Sequence, residues 1–199
     1  MTFNIVTFVI CYLIAAISPS IILCKKIKKK DIRTIGSGNA GTTNSIRAMG
    51  KAWGAVVFIL DLLKVVVSYG AIWLIARIFK QDFSETTKSL YMLASVIGHS
   101  YPVYYGFKGG KGVAVFLMSA IMIDYKAALV CLTVGVIVIL VSRMVSLGSI
   151  IGASLLAILV LFMDTNFNFL ITLLIVAIVI FNHRSNIKRI IKKEENKLF

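Results

Sequence analysis

Over residues 2–23 the chain carries no charge, and six further apolar stretches follow at 52–76, 89–107, 113–123, 127–142, 145–163 and 167–181. A helix needs about 20 apolar residues to cross roughly 30 Å of hydrocarbon. The spacing therefore predicts an all-α integral membrane protein with about seven transmembrane helices. Hydrophobic residues make up 59% of the 199, against about 45–50% in soluble domains, and the surplus needs a bilayer. The fourth stretch is too short to span unaided, so either the glycine-rich segment before it enters the membrane or the count of seven is wrong. Stretch 2–23 lacks a basic leader and a small-residue cleavage site, so it reads as a retained helix.

Lys and Arg outnumber Asp and Glu by 22 to 8. With alternating sides, the segments after the first, third, fifth and seventh stretches hold 17 of the 22 basic residues. By the positive-inside rule the N-terminus is then outside and the C-terminus cytoplasmic. The 24–51 and 108–112 loops, Arg143 and the basic tail at 186–199 share the cytoplasmic face. Basic residues placed between apolar runs suit lipid headgroups and anionic substrates rather than nucleic acid. No repeat or linker divides the chain, so one membrane-embedded domain over 1–199 is expected.

Three polar segments fall on that face. In the first, Gly36, Ser37, Gly38, Asn39, Asn44 and Arg47 crowd one loop, where glycines permit positive φ and backbone N–H groups can gather around an anion. Gly36, Gly38 and Gly41 satisfy GxGxxG, but a lysine run precedes them where a dinucleotide site needs a buried strand. A flexible loop touching lipid phosphate is the plainer alternative. In the second, Lys108, Gly109, Gly110, Lys111 and Gly112 form a turn that opens a helix, where N–H groups, helix dipole and ammonium all favour phosphate. The spacing is not that of a P-loop. In the third, His183 and Asn186 stand three apart and share a helix face.

Asp61 and Lys64 sit inside an apolar stretch, where a charge is costly enough to suggest function, with mutual pairing as packing glue the other reading. Ser146 and Ser149 could donate to a phosphate oxygen from a cytoplasmic turn. His99 and His183 are candidate general bases. Cys11, Cys24 and Cys131 have no metal-ligand spacing and read as buried hydrophobes, and no metal or cofactor is indicated.

The runs Gly-Ser-Gly-Asn-x-Gly-x-Thr-Asn-x-x-Arg, Gly-His-x-x-Pro, Lys-Gly-Gly-Lys-Gly-Val-Ala and His-Arg-x-Asn-Ile-x-Arg resemble the acyl-phosphate:glycerol-3-phosphate acyltransferases. That resemblance covers nearly the whole chain. It implies a multi-pass enzyme of the bacterial inner membrane with its active site facing the cytoplasm. Such an enzyme moves an acyl group from a long-chain acyl phosphate to the sn-1 hydroxyl of glycerol 3-phosphate, giving lysophosphatidic acid. The soluble enzyme that makes acyl phosphate is then a candidate partner. By position, the resemblance makes Ser37, Arg47, Lys111, His183 and Asn186 catalytic. It gives substrate binding to the first two loops and puts Glu195 where the third motif ends in Glu. The chain departs from the pattern at Lys192-Lys193-Glu194, Val65 and Val115.

The expected mechanism is positioning: Ser37, Arg47, the Lys108–Lys111 turn and Asn186 hold two phosphates so that the hydroxyl lies near the acyl carbon. The His-x4-Asp spacing of a different acyltransferase class is missing, because Tyr104 follows His99 and Lys188 follows His183. A transporter should instead line a path at mid-depth with repeated broken helices.

Overall fold

The computed structural model describes residues 2–197. Met1, Leu198 and Phe199, the ends of the expected domain and tail, lie outside the described residues. Ten α-helices run through them, with no strand among the described residues. They are α1 (Thr2–Ala15), α2 (Pro19–Lys28), α3 (Thr42–Met49), α4 (Lys51–Ile78), α5 (Glu85–Ser100), α6 (Val113–Ile123), α7 (Tyr125–Ser142), α8 (Val145–Phe162), α9 (Phe169–Asn182) and α10 (Arg184–Ile191). Helices α4 and α6 to α9 match five of the expected stretches to within two residues at each end.

The other two stretches differ for local reasons. Stretch 2–23 breaks after Ala15, because Pro19 has no N–H and restarts the chain as the first residue of α2. The break leaves the Ile17 carbonyl without a helical partner, and Lys64 Nζ donates to it at 2.9 Å. Stretch 89–107 becomes α5, begun by Ser84 Oγ accepting from Thr87 N and ended by Pro102, which disfavours a helical residue before it. Residues 101–112 therefore form an irregular loop. Two short helices, α3 and α10, lie outside the apolar stretches.

Four helical stretches are long and apolar enough to cross a bilayer by length and composition: Thr2–Lys28 with its break, α4, α7 and α8. Helices α9 and α10 make a fifth if their 59° bend is taken within one span. The number expected was about seven. Helix α6, at 11 residues, is only about 16 Å long at 1.5 Å per residue, and α5 is short and carries Ser, Thr and His.

Helix α5 is the most enclosed element, with Tyr91, Met92, Ala94 and Val96 buried against α1, α6 and α9. Val65 and Val115, two of the departures noted above, are wholly buried in the same core. The outer faces of α4, α7, α8 and α9 stay apolar and uncovered, as at Val67, Val141, Phe162 and Leu170. A surface of that extent needs lipid. Helices α7 and α8 meet along a glycine seam: a Cβ on Gly135 would sit 3.1 Å from the Gly148 carbonyl oxygen, and one on Gly152 3.0 Å from that of Cys131. Small residues let helix backbones approach this closely.

A second apolar cluster, from Ile21, Cys24, Ile32, Ala40, Met49 and Val57, seats the 29–41 loop on α2 and α4. That loop is stitched to 101–112 by Arg33, whose guanidinium pairs with Asp31 at 2.6 Å and donates to the Tyr105 carbonyl at 2.6 Å.

Candidate active site

Five segments distant in sequence line one pocket of about 320 Å³. The first loop and α3 supply Ser37, Asn39, Asn44 and Arg47, and the second loop supplies Lys111 and Gly112. From α8 come Ser146 and Ser149, from the α9–α10 bend His183 and Asn186, and from the tail Glu195. Asp61 and His99 also reach the wall, with Phe58 and Leu117 as apolar neighbours.

Gly36, Gly38, Lys108, Gly109, Gly110 and Lys64 do not line the pocket, and the geometry says why. Gly109 and Gly110 donate their N–H groups to the carbonyls of Ser100 and His99, at 3.0 and 3.1 Å. Those donors lock the turn onto the end of α5 instead of facing an anion. Gly36 holds a positive φ of 58°, and a Cβ there would collide with the Asn44 side chain. Asn44 is a clamp on the loop. Its Oδ1 accepts from Ser37 N at 3.0 Å, and its Nδ2 donates to the carbonyls of Ile32 and Ile35. Both amide protons are thus committed to backbone.

Lys111 Nζ donates to Asn186 Oδ1, and Asn186 Nδ2 donates to Glu195 Oε1 at 2.6 Å. Ser146 Oγ gives the same oxygen a 2.8 Å hydrogen bond, while Arg189 Nε pairs with Glu195 Oε2 at 2.8 Å. Burial would raise the Glu195 carboxyl, but the hydrogen bonds from Asn186, Ser146 and Arg189 outweigh it and hold the carboxyl below its ordinary range. Ser149 Oγ is turned back onto the Val145 carbonyl, so of the two serines only Ser146 joins this network. Burial pushes the Lys111 ammonium down to about 8; Glu195 opposes that shift, while Arg189 and Arg47 add to it. Arg47 makes no ion pair among the described residues. Its guanidinium is available to a ligand.

Arg189, Thr42, Thr43, Asn196 and Lys197 also line the pocket and were not among the expected site residues, although Thr43 and Arg189 lie within the quoted motifs. For Arg189 the signal was present: it stands three residues after Asn186 on a strongly two-sided helix. Thr42 and Thr43 enter as the first residues of α3, and Asn196 and Lys197 depend on how the tail folds back. No group of three or more metal-ligating side chains gathers among the described residues.

A family model described as glycerol-3-phosphate acyltransferase matches residues 5–193. The chain belongs to the glycerol-3-phosphate acyltransferase family. Its relatives include the glycerol-3-phosphate acyltransferases of Clostridioides difficile, 38% identical over 98% of this chain and 95% of that one, and of Thermoanaerobacter pseudethanolicus, 38% identical over 98% and 96%. The crystal structure of PlsY, an integral membrane glycerol 3-phosphate acyltransferase, is similar in its glycerol 3-phosphate form. That match has a TM-score of 0.83 and 35% identity over 98% of this chain and 94% of that one. The lysophosphatidic acid form matches with a TM-score of 0.82. The chain is accordingly an integral membrane protein.

Of Lys192, Lys193 and Glu194, the run that departs from the glycine of the resembled motif, Lys193 takes the left-handed conformation that glycine favours, with φ at 59°. Its N–H donates to Ile190 O and that of Glu194 to Arg189 O, a helix-closing turn that sends Glu195 back to the pocket. A left-handed non-glycine residue costs about 1–2 kcal/mol, of which the extra entropy of an unfolded glycine takes back roughly half. Lys193→Gly should therefore stabilise the protein by about 0.5–1 kcal/mol, read as a higher thermal midpoint in detergent. A lower midpoint would mean that the lysine side chain outweighs its backbone strain.

Proposed function

We propose that the protein transfers an acyl group from a long-chain acyl phosphate to the sn-1 hydroxyl of glycerol 3-phosphate, releasing lysophosphatidic acid and phosphate. The observation that carries this reading is the make-up of this pocket: Arg47, Lys111, Arg189 and Lys197 beside Phe58, Leu117 and Val145. Cations suit two phosphoryl groups, and the apolar wall suits the start of an alkyl chain. An acyl phosphate brings its own leaving group, so the protein need not supply a nucleophile. The hydroxyl oxygen attacks the acyl carbon, the bond from that carbon to the phosphate oxygen breaks, and the departing phosphate takes the hydroxyl proton. Ser37, Arg47, Lys111 and Asn186 align the reactants, and the cations stabilise charge on the leaving phosphate.

The same reading gives one membrane-embedded domain in the bacterial inner membrane with seven membrane-crossing segments. Buried α5 and short α6 cross within the bundle, where the other helices shield their polar groups. The N-terminus is outside and the pocket cytoplasmic, as the distribution of basic residues supports.

The test is direct. Purified protein in detergent receives labelled glycerol 3-phosphate with palmitoyl phosphate or with an acyl-CoA. Product is expected from the acyl phosphate alone. Arg47→Ala should raise the KM for glycerol 3-phosphate about 10- to 100-fold, as loss of one charge-assisted contact predicts. Product from neither donor overturns the enzyme reading, and product from acyl-CoA alone overturns the donor.

A further inference from the structure

His99 and His183 are the two histidines of the chain, both line the pocket, and their surroundings impose opposite protonation patterns. His183 Nδ1 lies 2.8 Å from the Val179 carbonyl oxygen. A carbonyl oxygen only accepts, so Nδ1 carries the ring proton and Nε2 is left bare.

At His99 the partner of Nδ1 is Lys64 Nζ, 3.0 Å away. An ammonium has three protons and no lone pair. One of them goes to the Ile17 carbonyl exposed by the break between α1 and α2, at 2.9 Å. Asp61 Oδ1 stands 2.8 Å from Nζ as its ion partner, although that oxygen takes no hydrogen bond among the described residues. A further proton meets His99 Nδ1 at 3.0 Å, and because an ammonium cannot accept, that nitrogen must. The proton of the neutral ring then sits on Nε2, the atom lying against Gly110, where a Cβ would overlap it. A proton on Nδ1 would face the ammonium donor to donor, with Asp61 Oδ1 at a longer 3.4 Å.

We propose that the buried Asp61–Lys64 pair fixes His99 as a neutral Nε2–H donor to an oxygen of the bound substrate, opposite in tautomer to His183, whose Nε2 accepts. Asp61 and Lys64 are then positioning residues. Both are almost wholly buried, and an ion pair inside an apolar helix is costly to keep, so a role in setting the ring accounts for it. The identity of the substrate oxygen rests on the acyl-transfer reading, whereas the two tautomers do not.

Tag-free protein labelled with 15N-histidine, in detergent micelles, gives a long-range 1H–15N correlation with two rings to assign. One ring should show a protonated Nδ1 and the other a protonated Nε2, and His183→Gln should leave the Nε2–H pattern alone. In Lys64→Met, Nδ1 of His99 should gain a proton, because Asp61 becomes its neighbour. Two rings of one tautomer in the unaltered protein, or a Lys64→Met spectrum identical to it, would overturn the proposal. Turnover supplies a second reading that needs no Lys64 variant. His99→Leu should lower kcat about 100-fold, as loss of one aligned donor does, while His99→Gln, whose amide N–H can stand in, should stay within about tenfold. Equal losses in the two would refute the donor role. Unaltered protein that makes no acylated product defeats the acyl-transfer reading, with the spectrum still deciding the tautomers.

Discussion

Lys111→Met should lower kcat/KM for acyl transfer about 1000-fold while leaving the protein folded in detergent, as removal of one preorganised charge from a substrate site does. The ammonium is held by Asn186 in the pocket network, and Glu195, Arg189 and Arg47 are close enough to act on its charge. Methionine keeps the length and the apolar stem but neither the charge nor the hydrogen bond. The same residue sets an expected pH dependence. Its ionisation is lowered from 10.5 to about 8, so the empty site holds the ammonium below pH 8 and loses it above. In the unaltered protein kcat/KM should fall as pH rises through about 8, and bound phosphate should move the break upward because it favours the charged form. Rates across pH 6–10 in the unaltered and Met proteins check both statements. A Lys111→Met loss smaller than tenfold would remove the lysine from the chemistry.

Gly110→Ala should cost about 100-fold in turnover although Gly110 does not touch the pocket. Its added Cβ would run into the His99 ring and come within 2.9 Å of the Ala40 carbonyl oxygen. Both obstacles are fixed, His99 by Lys64 and Ala40 by its N–H donation to the Gly109 carbonyl. The turn must shift, and Lys111 shifts with it; misplacement of about 1 Å can cost 100-fold. Gly106→Ala is the control. Gly106 has φ at 65° with nothing within 4 Å of a Cβ, so it should lose about 1 kcal/mol of stability and little activity. Comparable activity losses at both positions would show that loop strain, not the collision with His99, is responsible.

Much of this was legible in the residues because the bilayer is a strict reader. Five of seven apolar stretches became helices with nearly the expected ends, since a span's length is set by hydrocarbon thickness. The break at Pro19 and the end of α5 at Pro102 were visible as prolines but were overridden by the surrounding hydrophobicity. Ser37, Arg47, Lys111 and Asn186 were chosen as polar residues in glycine-rich or basic settings, and all four line one pocket. The glycines beside them were assigned to the anion, whereas Gly109 and Gly110 spend their N–H groups on α5 and Asn44 spends its amide on its own loop. Composition marks a turn as able to hold a phosphate. Only tertiary contacts reveal whether its donors are already taken. Lys64 shows the same limit, because its partners, Asp61 apart, lie 35 and 47 residues away.

The glycine seam between α7 and α8 makes the two helices one stiff paddle, with Ser146 near its tip. Bulk introduced at Gly135 or Gly152 would tilt that paddle like a wedge under a door, carrying the serine away from the Glu195 carboxylate. A saturation scan should thus find intolerant sites deep in the greasy part of the molecule, chemically mute and remote from any substrate, whose only duty is to keep two backbones touching.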